Sequence, residues 1–170
     1  NFFDAFHSPN YPLLAEVGIN IEIYRHNILH PNGPFRVLDE FSPALAVLKL
    51  FPGCRCDYFQ PGDDIRAVLI VAYGAGTIPL RTGDLPARIE KWLQQGKLVF
   101  LDSEAHGGRI EPQLYESGSR LLEMGVISSG DMTFEAAATK LMFLMGQYDR
   151  PEPIQVNFQK SLAGELSELP

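Results

Sequence analysis

Asp102-Ser103-Glu104-Ala105-His106 sets two carboxylates, a hydroxyl and an imidazole within five residues. Hydrolytic enzymes build nucleophile, base and orienter from these groups. Adjacent residues on one loop rarely converge on a common point, so the run reads as a source of polar ligand contacts rather than a triad. A second run, Tyr73-Gly74-Ala75-Gly76-Thr77-Ile78-Pro79, offers glycine-opened backbone N–H groups and the hydroxyl of Thr77. Gly74-x-Gly76 begins like a dinucleotide fingerprint, but Pro79 stands where the third glycine would be. The missing Gly-Lys-Ser/Thr excludes a Walker loop. His26 and His30 fall in an extended, turn-rich stretch rather than on a helix, so they form no zinc pair. Cys54-Arg55-Cys56 is too tight for an ordinary disulfide and lacks a second ligand pair, which leaves two reduced thiols. No complete catalytic centre, metal site or cofactor site emerges.

The elements that must position these runs follow from hydrophobic periodicity. Ala67 to Ala72 is apolar throughout, as in a strand covered on both faces, and it drives straight into Tyr73. Asp84 is placed to cap a helix on which Leu85, Ile89, Trp92 and Leu93 share one face, with Gly96 as its stop. Lys97 to Asp102 then reads as the next strand. A strand–helix–strand unit of this length crosses over right-handed, so both strands are parallel and end on the same side. The two polar runs therefore share the carboxyl edge of the sheet, where ligands are held in open α/β folds.

Ala46 to Phe51 is the first sheet strand, stopped by Pro52-Gly53. Beyond the second run come a helix over 113–124, a short extended piece at Val126-Ile127, and a helix from Phe134 to Gly146 capped by Thr133. On that last helix Phe134, Ala137, Ala138, Leu141, Met142 and Met145 form the apolar stripe. A final helix spans about 154–162. Upstream, residues 1–18 read as an arm or inter-domain linker, and 19–170 as the domain. Ile19, Ile21 and Ile23 alternate on a half-exposed strand, and Asn32-Gly33 marks a turn. Asp63, Asp64, Glu165 and Glu168 read as solvated charge. The sum is a three-layer α/β/α fold, Rossmann- or flavodoxin-like, with a small mostly parallel sheet preceded by an extended arm.

With 170 residues, 45% of them hydrophobic, the chain can bury one sizeable core. A net charge of −7 without a basic cluster disfavours nucleic acid and anionic membranes as partners. No apolar run approaches the roughly 18 residues of a membrane span, and the amino end lacks the basic region of a signal peptide, so a cytoplasmic location is expected. The chain begins with Asn rather than Met, which suggests a fragment.

Several motifs carry a family resemblance. Phe6-His7-Ser8-Pro9-Asn10-Tyr11-Pro12, Val47-Leu48-Lys49-Leu50-Phe51-Pro52-Gly53, Tyr73 to Pro79, Tyr115-x-Ser117-Gly118, Gly125-Val126-Ile127, Gly130-Asp131-Met132-Thr133-x-Glu135-Ala136-Ala137 and Thr139-Lys140-Leu141 occur in this order. Along essentially its whole length the chain resembles the C-terminal domain of the L-asparaginase family, and within it the bacterial cytoplasmic type I enzymes. The resemblance implies hydrolysis of L-asparagine to L-aspartate and ammonia by a threonine nucleophile, without cofactor or metal. The Thr-Gly-Gly-Thr motif that carries the nucleophile, and the Thr-Asp pair and lysine that accompany it, belong to the family's amino-terminal domain and are not in these residues. No catalytic residue is therefore assigned here, and the chain is expected to be inactive alone.

The same resemblance implies an amino-terminal catalytic domain as partner, a homo-oligomer of at least two copies, and asparagine as the small-molecule ligand. Tyr73, Gly74, Gly76 and Thr77 would line the substrate pocket, with Thr77 standing where the family usually has Asn. Ser103, Glu104, Ala105 and His106 would form an effector loop, where regulated members resemble Thr-Gln-Cys. Two alternatives are a stand-alone amino-acid-binding or regulatory module and the corresponding domain of an asparaginase-like component of a glutamyl-tRNA amidotransferase.

Overall fold

The computed structural model describes residues 11–31, 33–74, 78, 84–104 and 116–167. Four parallel strands form its sheet: β3 (Leu45–Lys49), β4 (Ala67–Ala72), β5 (Leu98–Ser103) and β6 (Ile127–Ser128). A separate antiparallel ribbon pairs β1 (Ala15–Val17) with β2 (Ile21–Ile23). Helices α1 (Leu85–Gln94), α2 (Glu116–Glu123), α3 (Phe134–Gln147) and α4 (Pro151–Phe158) complete the described elements.

The sheet order is β3-β4-β5-β6, so each crossover steps in the same direction. Uniformly right-handed crossovers stepping one way put their helices on one face. Accordingly Leu85, Ile89 and Trp92 of α1 and Leu121 of α2 pack with Leu48, Val68, Ile70, Val99 and Leu101 in one core. The other face is closed by the trailing pair α3 and α4, whose Ala137, Leu141, Leu144, Ile154 and Phe158 meet Leu69, Val71 and Phe100. Phe100 and Phe158 stack tilted, 4.5 Å between centroids. All six residues of β4 and all six of β5 are buried, which is why neither shows polar alternation. The result is the expected three-layer α/β/α fold.

Several local devices fix the helices. Thr133 caps α3 by accepting from the Ala136 N–H, and Gly96 and Gly125 end their helices with positive φ. At the far end of α3, Arg66 donates to the carbonyls of Met145, Tyr148 and Asp149 at 2.7–2.9 Å, placing a cation on the negative end of the helix dipole. Lys97 is buried at the start of β5, with its ammonium on the Gly62 and Ile65 carbonyls.

Other expectations are corrected. Asp84 makes no side-chain cap bond. It sits at φ 55 in the left-handed region, and Pro at the start of α1 removes one N–H it would have capped. α4 begins at Pro151 rather than near Ile154, because Pro151 and Pro153 occupy a first turn that needs no N–H donors, and it ends at Phe158. Phe134 is exposed while Lys140 and Leu144 are buried, so the apolar stripe of α3 is rotated from the one hydropathy suggests. Ile21 and Ile23 are on a fully exposed ribbon, not a half-exposed strand, and Gly33 is not left-handed; Asn32 lies outside the described residues. Glu165 is not solvated: it accepts from the Lys140 ammonium at 2.5 Å, with that side chain 4% exposed and its own 16%.

Candidate functional site

The carboxyl ends of β3, β4 and β5 are in register, with Lys49 beside Val71 and Val71 beside Asp102, then Ala72 beside Ser103. Backbone bonds continue past the strands. Leu50 N–H donates to Val71 O, Glu104 N–H to Ala72 O at 3.0 Å, and Ser129 N–H to Leu101 O. The two sequence-predicted runs thus leave the sheet side by side, as far as they are described. Tyr73 is half-buried and packs on the α1 side of the core, so its ring anchors the first run. Gly74 follows at φ 57, a conformation that an L side chain resists, and bends the chain away from the strand line. Ile78 returns to the core at 5% exposure. Ala75, Gly76, Thr77, Ala105 and His106 lie outside the described residues.

Ser103 is nearly buried at the end of β5, and Glu104 is half-exposed beside it. The Glu104 carboxylate meets the Lys49 ammonium at 2.6 Å across the end of β4. With 67% and 38% side-chain exposure, this pair contributes at most about 1 kcal/mol, and its main effect is to fix where the Glu104 charge sits. Sequence reasoning misses Lys49 in this place, although a lysine closing an otherwise apolar strand is a visible signal.

Beneath this rim lies a buried pair. Ser129 Oγ donates to Asp102 Oδ1 at 2.6 Å, and both residues are 0% exposed. Asp102 Oδ2 is the one buried side-chain polar atom without a hydrogen-bond partner among the described residues. Burial raises the Asp102 carboxyl above the usual carboxylate range, and nearby Glu135 adds to this; the bonds from Ser129 and the Ser103 backbone only partly offset them. A serine bonded to a carboxylate suggests a nucleophile and base, but no substrate can reach 0%-exposed groups. The pair instead ties β5 to the turn after β6.

Cys54 and Cys56 are free and buried, and burial, reinforced by Cys54, pushes the Cys56 thiol up to about 11. That leaves a protonated, weakly nucleophilic group. Among the described residues no cluster of three or more His, Cys, Asp or Glu is placed to hold a metal.

A sequential sheet has no point where its strand order reverses, and such reversals are where α/β folds open a crevice of their own. Among the described residues the site is therefore the adjoining carboxyl ends of β3, β4 and β5. This class of α/β domain is found in longer proteins. Residues 45–158 match the family model described as the Glutaminase/Asparaginase C-terminal domain, and the chain belongs to that family. It is 32% identical over 165 residues to an L-asparaginase of Thermococcus kodakarensis, covering 96% of this chain and 50% of that protein. The solved structure of the thermostable L-asparaginase from that organism superposes with a TM-score of 0.86, covering 99% of this chain and 52% of that one. L-asparaginase I from Vibrio cholerae superposes at 0.82 and 31% identity, covering 96% and 50%. One component of the glutamyl-tRNA(Gln) amidotransferase of Thermofilum pendens is 30% identical over 172 residues, covering 97% of this chain and 37% of that protein. The chain spans about half the length of these Thermococcus kodakarensis and Vibrio cholerae L-asparaginases.

Proposed function

We propose that this chain works as the C-terminal, non-nucleophilic half of an enzyme that hydrolyses L-asparagine to L-aspartate and ammonia. The observation that carries the reading is the match along nearly the whole chain to about half of the Thermococcus kodakarensis L-asparaginase. The amino-terminal half would supply the threonine that attacks the side-chain amide carbon, and water would then release aspartate from the acyl intermediate. Tyr73, Gly74, Gly76 and Thr77 would close the pocket near the α-amino group, and Ser103, Glu104, Ala105 and His106 would serve as an effector segment. The bent exit at Gly74 and the fixed charge of Glu104 support the division of labour between the two runs. A homo-oligomer follows if each pocket is completed by a neighbouring copy, and the free thiols fit a reducing cytoplasm.

This reading is tested by joining the chain to an L-asparaginase amino-terminal half and measuring ammonia from asparagine. In an active joined protein, Thr77→Ala is expected to raise KM about tenfold, the loss of one hydrogen bond to a charged group, with kcat changed far less. An unchanged KM would remove Thr77 from the pocket. The match to an amidotransferase component supports a second reading, in which the same domain serves release of ammonia from glutamine for a tRNA-bound product. Release from glutamine but not asparagine would favour it.

A further inference from the structure

A second set of charged groups converges at the amino edge of the sheet, the end away from the two polar runs. Ala67 pairs with Leu98 in register, so Arg66 and Lys97, one position earlier, stand side by side where β4 and β5 begin. There the Leu98 N–H donates to the Arg66 carbonyl. Both side chains line a cavity of about 190 Å³ between the segment 63–66, the turn from α1 into β5 and the start of α4. Ile65 and Ile154 give it apolar wall, and the exposed Asp63 and Asp149 line it as well.

Lys97 is only 6% exposed. Its ammonium has three N–H donors, of which two go to the Gly62 and Ile65 carbonyls at 2.7 and 2.8 Å. The third has no acceptor among the described residues. Arg66 gives three of its five N–H groups to the carbonyls of Met145, Tyr148 and Asp149, which leaves the Nε–H and one Nη1–H. Carbonyls thus hold both cations in place without neutralising them. No ion pair among the described residues includes Arg66, Lys97, Asp63 or Asp149. A charge taken out of water is costly until an opposite charge meets it. The space is enough for about six waters, at ~30 Å³ each, or for one small molecule. A plain anion there would suit Arg66 and Lys97 but also face Asp63 and Asp149, and a plain cation meets the reverse conflict. A molecule carrying both charges satisfies both pairs.

We propose that this amino-edge cavity is a binding site for a small zwitterionic α-amino acid. Its carboxylate accepts from the spare N–H groups of Lys97 and Arg66, its ammonium faces Asp63 and Asp149, and its side chain lies on Ile65 and Ile154. A volume below the roughly 300 Å³ of drug-sized pockets keeps that side chain short. The assignment does not depend on the asparaginase reading.

The test follows backbone amide resonances of the isotope-labelled 170-residue chain during titration with L-alanine. Propionate and ethylammonium, each keeping one of its two charges, are titrated separately. L-alanine is expected to give saturable shifts over 62–66, 95–98 and 149–150. Either single-charge compound, at equal concentration and ionic strength, is expected to give shifts at most about one-fifth as large. Asp63→Asn combined with Asp149→Asn changes two exposed positions and is expected to weaken L-alanine binding at least about fivefold. Lys97→Met is expected to abolish the shifts; should it not fold, the Asp double variant decides. No saturable shift at these amides overturns the proposal, and so does binding of L-alanine that the double variant leaves unchanged. Equal shifts with propionate alone would make the cavity a plain anion site, and shifts confined to 73–74 and 103–104 would move the ligand to the carboxyl edge. Either result overturns it too.

Discussion

Asp102 shows how one residue can be both legible and misread. Its place at the end of a strand is plain from the apolar run before it, and so is its proximity to Ser103 and Glu104. Its partner is not, because Ser129 comes 27 positions later, beyond a strand whose register sequence alone does not reveal. The raised carboxyl gives a prediction with a definite sign. Below the unfolded value both states hold the proton. As pH rises the unfolded chain loses it first, so stability falls until the folded carboxyl also ionises, and the penalty then persists at neutral pH. Asp102→Asn keeps an acceptor for Ser129 and removes the charge. It is expected to raise stability at pH 7 by about 1 kcal/mol and to match wild type near pH 3 in denaturant titrations. No gain at pH 7 would mean that Oδ2 is satisfied. Glu165 has the opposite sign. Burial raises its carboxyl, but bonds from Lys140 and from the Leu162 and Ala163 backbone outweigh that and hold it below the ordinary value. Its contribution is present above about pH 4.5 and lost as pH falls through the lower folded value. Lys140→Met, which strands Glu165, is expected to cost about 3 kcal/mol at pH 7 and much less at pH 3. Equal losses at the two pH values would contradict the pairing.

At the scale of elements, fully buried strands and capped helices are the most legible. Ala67–Ala72 agrees to the residue, α1 keeps its Leu85, Ile89 and Trp92 face, and Thr133 caps α3 as expected. The differences fall where neighbours, not local pattern, decide. Lys140 falls on the buried stripe because Glu165 and the Lys160 carbonyl receive its ammonium there, which hydropathy alone cannot foresee. The prolines of α4 look like breakers, whereas they fill a first turn that has no use for N–H groups. Half of the β1–β2 ribbon reads as arm because its apolar side faces nothing described in this chain. The cap on α3 is open to a direct check: Thr133→Ala is expected to lower stability by about 1 kcal/mol in urea titrations, with Thr133→Asp near neutral. A cost below about 0.3 kcal/mol would show that packing of Ala137 and Leu141, rather than the cap, starts the helix.

For the whole molecule, the described strands set which residues meet at the carboxyl edge of the sheet. Among the described residues the strands are added in one direction, so no reversal of strand order marks a ligand crevice in this sheet. The residues that set the candidate site are legible as two polar runs after apolar strands, and Tyr73, Gly74, Ser103 and Glu104 do emerge side by side. What is not legible is the tie from Lys49 to Glu104, which depends on strand order. No described helix is long and apolar enough to cross a membrane. The central claim is that the chain is half of an asparaginase and completes a pocket whose nucleophile lies in the other half. Ammonia released from L-asparagine tests it most directly, measured for the 170-residue chain alone and for the same chain joined to an L-asparaginase amino-terminal half. The account predicts no release above buffer for the chain alone and steady release for the joined protein; release by the chain alone at the rate of an intact enzyme would contradict it.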